Sequence, residues 1–247
     1  MIGIIGGTGV YKITERADSV EERKIGNTLV SFVHINNRRV AFIPRHSGDH
    51  SIPPHKIDYK ENISALKKVG VKQIIATNSV GSMNPEMPPG SFVLPNDFLD
   101  FTGNRDKTFY NDKVVHVDVT EPYCNRLNNV IASCGDVING GTYVATEGPR
   151  FETPAEIKMF KILGGDVVGM TGVPEVVLAR EKEMCYSSIC IVSNYAAGIS
   201  EDKLSLEEVF DILDKRKEDL LDLICDSIEK VDSCDCTCRH ALDKFDV

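Results

Sequence analysis

Arg45 and His46 stand side by side in Pro44-Arg45-His46-Ser47-Gly48-Asp49-His50-Ser51-Ile52-Pro53-Pro54-His55, a loop carrying three histidines. A guanidinium beside an imidazole suits an oxyanion, because its planar N–H fork matches phosphate oxygens. His46 and His50 would share a face if helical and could then hold a metal, but Gly48 and the Pro53-Pro54 pair argue against a helix. A second cluster, Arg150-Phe151-Glu152, offers a cation, a stacking face and a carboxylate. It lies between the loop signal Gly148-Pro149 and a helix start at Thr153-Pro154-Ala155-Glu156. There Thr153 serves as N-cap, Pro154 as the first helical residue and Glu156 as the third residue after the cap. The plain alternative for either cluster is a solvated surface loop.

These groups need a frame, and the hydrophobic pattern supplies one. Ile2–Ile5 is a short apolar strand running into Gly6-Gly7-Thr8-Gly9, whose backbone N–H groups could cradle a phosphate. No Gly-Lys-Ser/Thr follows, so it is not a Walker loop, and Lys12 stands where a dinucleotide fingerprint needs its third Gly. Leu29–Ile35 and Arg39–Ile43 read as a hairpin joined at Asn36-Asn37, where a dinucleotide fold would place a helix and then an acidic strand end. Asp58–Val69 reads as an amphipathic helix with Ile63, Leu66 and Val69 inward and Gly70 at its C-cap.

Three more strand runs end in small polar residues. Gln73–Ala76 leads to Thr77-Asn78-Ser79-Val80-Gly81-Ser82. Asp166–Met170 leads to Thr171-Gly172-Val173-Pro174-Glu175 and a helix to Met184. Tyr186–Val192 leads to Ser193-Asn194-Tyr195-Ala196. Ligands in α/β sheets collect at the carboxyl ends of strands. Pro85–Pro95 reads as loop, Asp97–Asn111 has little periodicity, and Val114–Val119 alternates around His116. Ser205-x-x-Glu208 reads as a capping box opening a last helix with Leu206, Val209, Phe210, Leu213, Leu220, Ile224 and Ile228 as its stripe. No Gly-x-Ser-x-Gly elbow is present, which counts against an α/β-hydrolase.

The 247 residues, 42% hydrophobic and 26% charged, suit one α/β domain, with a short Cys-rich tail from about residue 232. A net charge of −9 disfavours a nucleic-acid partner, and no apolar run reaches a membrane span. The N-terminus lacks a basic signal-peptide region, so a soluble, cytoplasmic protein is expected. Among eight cysteines, Cys234, Cys236 and Cys238 form a Cys-x-Cys-x-Cys run followed by His240. That spacing is tighter than usual zinc pairs and has no second half in sequence, so no metal is assigned. Cys124, Cys134, Cys185, Cys190 and Cys225 leave disulfides and reduced thiols both open. Residues alone lead to an α/β enzyme with a phosphate-like site near a carboxylate and an amide.

The same residues resemble the trimeric purine nucleoside phosphorylase and methylthioadenosine phosphorylase family from Gly3 to about Glu208. The resemblance rests on Gly-Gly-Thr-Gly at 6–9, Pro-Arg-His at 44–46, Glu-Gly-Pro-Arg-Phe-Glu-Thr at 147–153 and Gly-Met-Thr-Gly-Val-Pro-Glu at 169–175. It implies a single domain with a central mixed β-sheet flanked by helices. It also implies phosphorolysis, in which phosphate attacks the ribosyl anomeric carbon and a purine leaves. Carried over, Thr8, Arg45, His46, Thr171 and the backbone of Ser79 should hold phosphate. Met170 should lie under the ribose, Phe151 should stack near the base, and Glu152 and Asn194 should read its edge. Asn194, Glu152 and His46 are the expected catalytic residues. His116 should reach a neighbouring subunit's site in a homotrimer or a hexamer. Phosphate is a co-substrate, and no cofactor is implied.

Members of that family that prefer adenine tend to have Ser in place of Glu152 and carboxylates in place of Asn194 and Ala196. Physical chemistry agrees: a 6-oxopurine offers an N1–H donor to a carboxylate and accepts at O6 and N7 from an amide. Inosine, guanosine or 5′-methylthioinosine is therefore expected over methylthioadenosine, with methylthioadenosine phosphorolysis and non-catalytic purine binding as alternatives. Leu206 lines up with the apolar position that receives a methylthio group, with a plain core role as its alternative.

Overall fold

Asn36 and Asn37 both take positive φ, 50° and 59°, the geometry of a two-residue hairpin turn whose twist matches the flanking strands. This hairpin starts one side of a large sheet in the computed structural model, which describes residues 1–7, 10–48, 51–200, 205–232 and 236–242. The strands are β1 (Ile2–Gly6), β2 (Val20–Ile25), β3 (Thr28–Ile35), β4 (Arg38–Pro44), β5 (Gln73–Ser82) and β6 (Phe92–Leu94). They continue with β7 (Asp97–Phe101), β8 (Ile138–Asn139), β9 (Thr142–Thr146), β10 (Val167–Gly169) and β11 (Cys185–Tyr195). The helices are α1 (Tyr59–Lys68), α2 (Asn125–Ala132), α3 (Pro154–Ile162), α4 (Gly172–Glu181) and α5 (Leu206–Lys230).

The sheet is mixed and branches around β5. The main path runs β2-β3-β4-β1-β5-β10-β9-β7, while β11 pairs with β5 and β6, and β6 with β8. β1 and β11 both run parallel to β5, whereas β10 meets it antiparallel. Alternate residues of the central strands feed opposite faces. Ile5 and Ile74 join Ile63 and Leu66 of α1 and Val176 and Leu178 of α4. Ile4 and Ile75 join Leu127 and Ile131 of α2 and Leu220, Ile224 and Ile228 of α5. The expected α/β fold, one mixed sheet with helices on both faces, is what the chain forms.

Several boundaries differ from the sequence reading, each for a local reason. The small polar residues after Gln73–Ala76 and Tyr186–Val192 continue the strands, because β5 and β11 hydrogen-bond to each other through Ser82 and Tyr195. The proline-rich and aperiodic stretches contain β6 and β7, held by pairing with β11 and β9. The alternation around His116 does not become an extended strand; Val114 and Val119 are exposed instead. α4 stops at Glu181 rather than Met184, and its second residue, Val173, is non-helical before Pro174. Ser205 is the N-cap of α5, but its side chain makes no cap hydrogen bond, so the capping box does not form there. Leu206 and Phe210, expected on the buried stripe, are each 58% exposed. The capping box at Thr153 does form, with both reciprocal bonds to Glu156 in place. Among the described residues, no helix is long and apolar enough to cross a membrane.

Candidate active site

The sheet opens where β1 leaves β5. Their pairing ends at Ile5 and Ala76, and β10 joins β5 only at Gly81 and Ser82. Thr77–Val80 therefore have no strand on that side among the described residues, and other groups satisfy their backbone. The Gly7 N–H donates to Thr77 Oγ1 (2.9 Å), and Arg45 Nη1 donates to the Thr77 carbonyl (2.7 Å). A cavity of about 400 Å³ fills the opening. Its wall includes Arg45, His46, Ser79, Phe151, Glu152, Met170, Thr171, Asn194 and Ala196. These residues, drawn from five separate segments of chain, meet at one end of the sheet.

Arg45 is 1% exposed and enters through a buried network that the sequence does not announce. Its Nε and Nη2 donate to the two carboxylate oxygens of Glu175, each at 2.7 Å, and Tyr186 Oη donates to Glu175 Oε1 at 2.7 Å. Burial alone would lower the Arg45 pKa, but the charge and hydrogen bonds of Glu175 override it and raise the pKa. Burial, and then the Glu175 charge, push the Tyr186 hydroxyl far above its ordinary value. Three of the five Arg45 N–H groups are committed to Glu175 and Thr77, and the remaining two can meet an anion. Glu175 lies in the Gly-Met-Thr-Gly-Val-Pro-Glu stretch. Nothing in sequence tied it to an arginine 130 residues earlier.

The other oxyanion-binding candidates are held just as firmly. His46 Nδ1 lies 2.8 Å from the Ile52 carbonyl; a carbonyl only accepts, so Nδ1 carries the proton and Nε2 is the ring's second polar atom. Thr171 Oγ1 donates to Asn78 Oδ1 (2.7 Å), whose Nδ2 donates to Ser188 Oγ (2.6 Å). The backbone N–H groups of Thr171 and Gly172 donate to Tyr143 Oη at 3.3 and 3.1 Å. Burial pushes that tyrosine's pKa up to about 12, so it stays neutral.

Across the cavity, Thr146 Oγ1 donates to Glu152 Oε1 at 2.6 Å and fixes the carboxylate. The register of β11 against β5 shifts between Val192 and Asn194, a bulge that turns Asn194 into the cavity. Ser193 Oγ donates to Asn194 Oδ1 (2.7 Å) and Asn194 Nδ2 donates to the Tyr195 carbonyl (2.8 Å), leaving one amide hydrogen for a ligand. Gly148, at φ +64°, lets the loop press on Met170: a Cβ there would lie 2.6 Å from the Met170 sulfur. Phe151 is 48% exposed at the rim. Arg150 instead forks onto Glu156 in solvent and does not line the cavity, matching the plain alternative for that residue.

Two sequence candidates lie elsewhere. Leu206, the first residue of α5, does not line the cavity; Val209, Phe210 and Leu213, farther along the helix, do. His116 is exposed and away from the cavity wall. Thr8 and His50 lie outside the described residues. Sequence reasoning also missed Arg105, whose side chain is 2% exposed. It donates to the Val173, Thr146 and Glu147 carbonyls and so ties together the loops on which Glu152 and Thr171 depend.

An α/β sheet whose strand ends bring an arginine, a histidine and a threonine to one side of a cavity, and a carboxylate and an amide to the other, defines a class able to hold an anion beside a heterocycle. The chain belongs to the phosphorylase superfamily, whose family profile matches residues 1–229. It is 56% identical to a protein named probable S-methyl-5′-thioinosine phosphorylase from Methanothermobacter thermautotrophicus, covering 100% of this chain and 90% of the relative. It is 46% identical to a 6-oxopurine nucleoside phosphorylase from Pyrococcus furiosus, covering 98% and 97%. Its fold is similar to the crystal structure of a methylthioadenosine phosphorylase from Schistosoma mansoni in complex with adenine. That match has a TM-score of 0.90 at 28% identity, over 99% of this chain and 98% of that one.

Proposed function

We propose that this enzyme, a nucleoside phosphorylase, cleaves 6-oxopurine nucleosides, including 5′-methylthioinosine, with inorganic phosphate as co-substrate. The observation that carries the reading is one cavity holding both the Arg45–His46–Thr171 group and the Glu152–Asn194 pair. Phosphate seated on the first group, with Ser79 and Thr8 assisting, faces the anomeric carbon of a ribose lying over Met170. As the bond to the base breaks, positive charge develops on the sugar, and the phosphate dianion stabilises it from the opposite face. The leaving base gathers negative charge. The Asn194 amide donates to its N7 or O6, and Glu152 accepts from N1–H while Phe151 stacks on the ring. Adenine would leave the Asn194 donor mismatched, a cost of about 1–3 kcal/mol.

The apolar wall of Val209, Phe210 and Leu213 suits a methylthio group at the sugar 5′ position better than a hydroxyl, which favours 5′-methylthioinosine and tolerates inosine. Relatives at 46% and 56% identity bear names from both substrate groups. Methylthioadenosine phosphorolysis is the second reading, favoured by the structural neighbour crystallised with adenine, and non-catalytic purine binding is the third. No metal or organic cofactor takes part in this scheme. The enzyme is proposed to be cytoplasmic and to assemble as a trimer or hexamer, with His116 reaching a neighbouring site. Val114 and Val119, 61% and 38% exposed on either side of His116, support an interface there. Light scattering that finds an active monomer would contradict that assembly.

The test is phosphate-dependent base release from inosine, guanosine, methylthioinosine and methylthioadenosine, side by side. Preference for the 6-oxo substrates is expected. Preference for methylthioadenosine would overturn the base-edge argument and leave phosphorolysis standing. Purine affinity without phosphate-dependent turnover would overturn both.

A further inference from the structure

At the other end of β11, some nine residue steps and about 30 Å from Asn194, four cysteines converge. They are Cys124, the N-cap of α2; Cys185, the first residue of β11; and Cys236 and Cys238, at the short helical turn Thr237–His240 after α5. Their four sulfurs all lie within 4.8 Å of one another, and Cys185 and Cys236 are 3.1 Å apart. Cys124, Cys185 and Cys238 are buried, at 3%, 1% and 3% exposure. The Cys-x-Cys-x-Cys run lacked a second half in sequence; the fold supplies it from 51 and 112 residues upstream of Cys236. Cys234, the first member of the run, lies outside the described residues.

We propose that Cys124, Cys185, Cys236 and Cys238 form a structural zinc site that pins the C-terminal segment to the sheet. Zinc–thiolate bonds of about 2.3 Å place tetrahedral sulfurs about 3.8 Å apart, within roughly 1 Å of the separations found here. The contacts do not divide into two exclusive pairs, as two disulfides require. Cys185 sulfur meets those of Cys124, Cys236 and Cys238, and Cys124 also meets Cys238. Four protein ligands close the coordination shell, as in a structural rather than a catalytic site. The surroundings suit the excess negative charge of a four-thiolate ion. The Leu127 N–H, in the first turn of α2, and the Arg126 guanidinium both favour the charged form of the Cys124 sulfur. Binding forms four S–Zn bonds and releases four thiol protons to solvent, with no oxidant consumed. Two disulfides would instead need an acceptor for four electrons.

The site clamps three parts of the chain that are distant in sequence and leaves the cavity at the far strand ends untouched. Protein purified anaerobically without chelator should carry about one zinc per chain by elemental mass spectrometry. Cobalt(II) exchanged into the same protein should show the intense visible bands of a tetrahedral thiolate complex. A Cys236→Ser/Cys238→Ser variant should lose the metal and melt at lower temperature, while phosphorolysis per folded chain at moderate temperature stays at the parent level. The cobalt titration of the parent protein decides the matter even where the variant fails to fold. The proposal is overturned if reduced, zinc-reconstituted protein retains no metal and all thiols stay titratable. Two disulfides by non-reducing intact mass with no metal bound, or iron with acid-labile sulfide, would overturn it equally.

Discussion

Replacing Glu175 by Gln asks whether the buried carboxylate exists to hold Arg45. In the parent, Glu175 Oε1 accepts from Arg45 Nη2 and Tyr186 Oη, and Oε2 accepts from Arg45 Nε. The Gln carbonyl can keep the Tyr186 bond, but its amide nitrogen then faces Arg45 Nε, donor against donor. The guanidinium, 1% exposed, is left without a counter-charge. Stranding one member of a buried ion pair costs about 3–5 kcal/mol. In a chain of this size that lowers the melting temperature by roughly 6–20 °C, at about 2–4 °C per kcal/mol. Arg45→Met combined with Glu175→Gln removes both charges and keeps the Tyr186 acceptor; the new amide N–H groups lack an acceptor in both variants, so the double variant exchanges a stranded charge for an unpaired Thr77 carbonyl, at about 1–3 kcal/mol. The double variant should therefore melt above Glu175→Gln alone. It should still lose about 10–150-fold in kcat/KM for phosphate, the worth of a charged hydrogen bond of roughly 1.5–3 kcal/mol. Calorimetric melts and phosphate saturation curves read the two effects separately. A double variant no more stable than Glu175→Gln would refute the stranded-charge reasoning. A double variant with parental phosphate saturation would refute the role of Arg45 in binding the anion.

Asn194→Asp should move base preference from hypoxanthine toward adenine nucleosides by about 5–150-fold in the ratio of kcat/KM values, since it exchanges an amide donor for an acceptor; an unchanged ratio would mean the base edge is read elsewhere. Phe210→Ser should cut the methylthioinosine to inosine ratio about tenfold, as expected for losing part of an apolar contact. Leu206→Ser should leave the ratio where it is, because Leu206 lies outside the cavity, and steady-state kinetics on the two substrates check both. The Glu156 carboxyl is held at about 2, below its ordinary 4.5, first by the Arg150 guanidinium and then by the Thr153 N–H. Its folded pKa is depressed, so the stability it contributes is full above pH 4.5 and is lost as pH falls through about 2. Glu156→Gln should flatten that acid limb of the melting profile by less than about 1 kcal/mol, because the pair is largely solvent-exposed. A parental acid limb in the variant would show that Glu156 contributes nothing there.

Sequence alone determined the elements whose signals are local. The Asn36-Asn37 turn, the α1 stripe and the Thr153–Glu156 capping box each need only a few neighbouring residues, and all three formed. The motif residues Arg45, His46, Phe151, Glu152, Met170, Thr171 and Asn194 were also legible, because each sits on a loop or strand end marked by Gly, Pro or small polar neighbours. Tertiary structure decided what satisfies them. Glu175 and Tyr186 complete Arg45, Thr146 fixes Glu152, and Arg105 joins three loops, through contacts between residues far apart in the chain. The same holds for β6 and β7, whose short, weakly patterned segments become strands only when β11 and β9 offer partners, and for Val209, Phe210 and Leu213 replacing Leu206 at the cavity wall. Periodicity reports which side of a helix is apolar. Which apolar residue faces a ligand depends on how the whole helix is laid against the sheet.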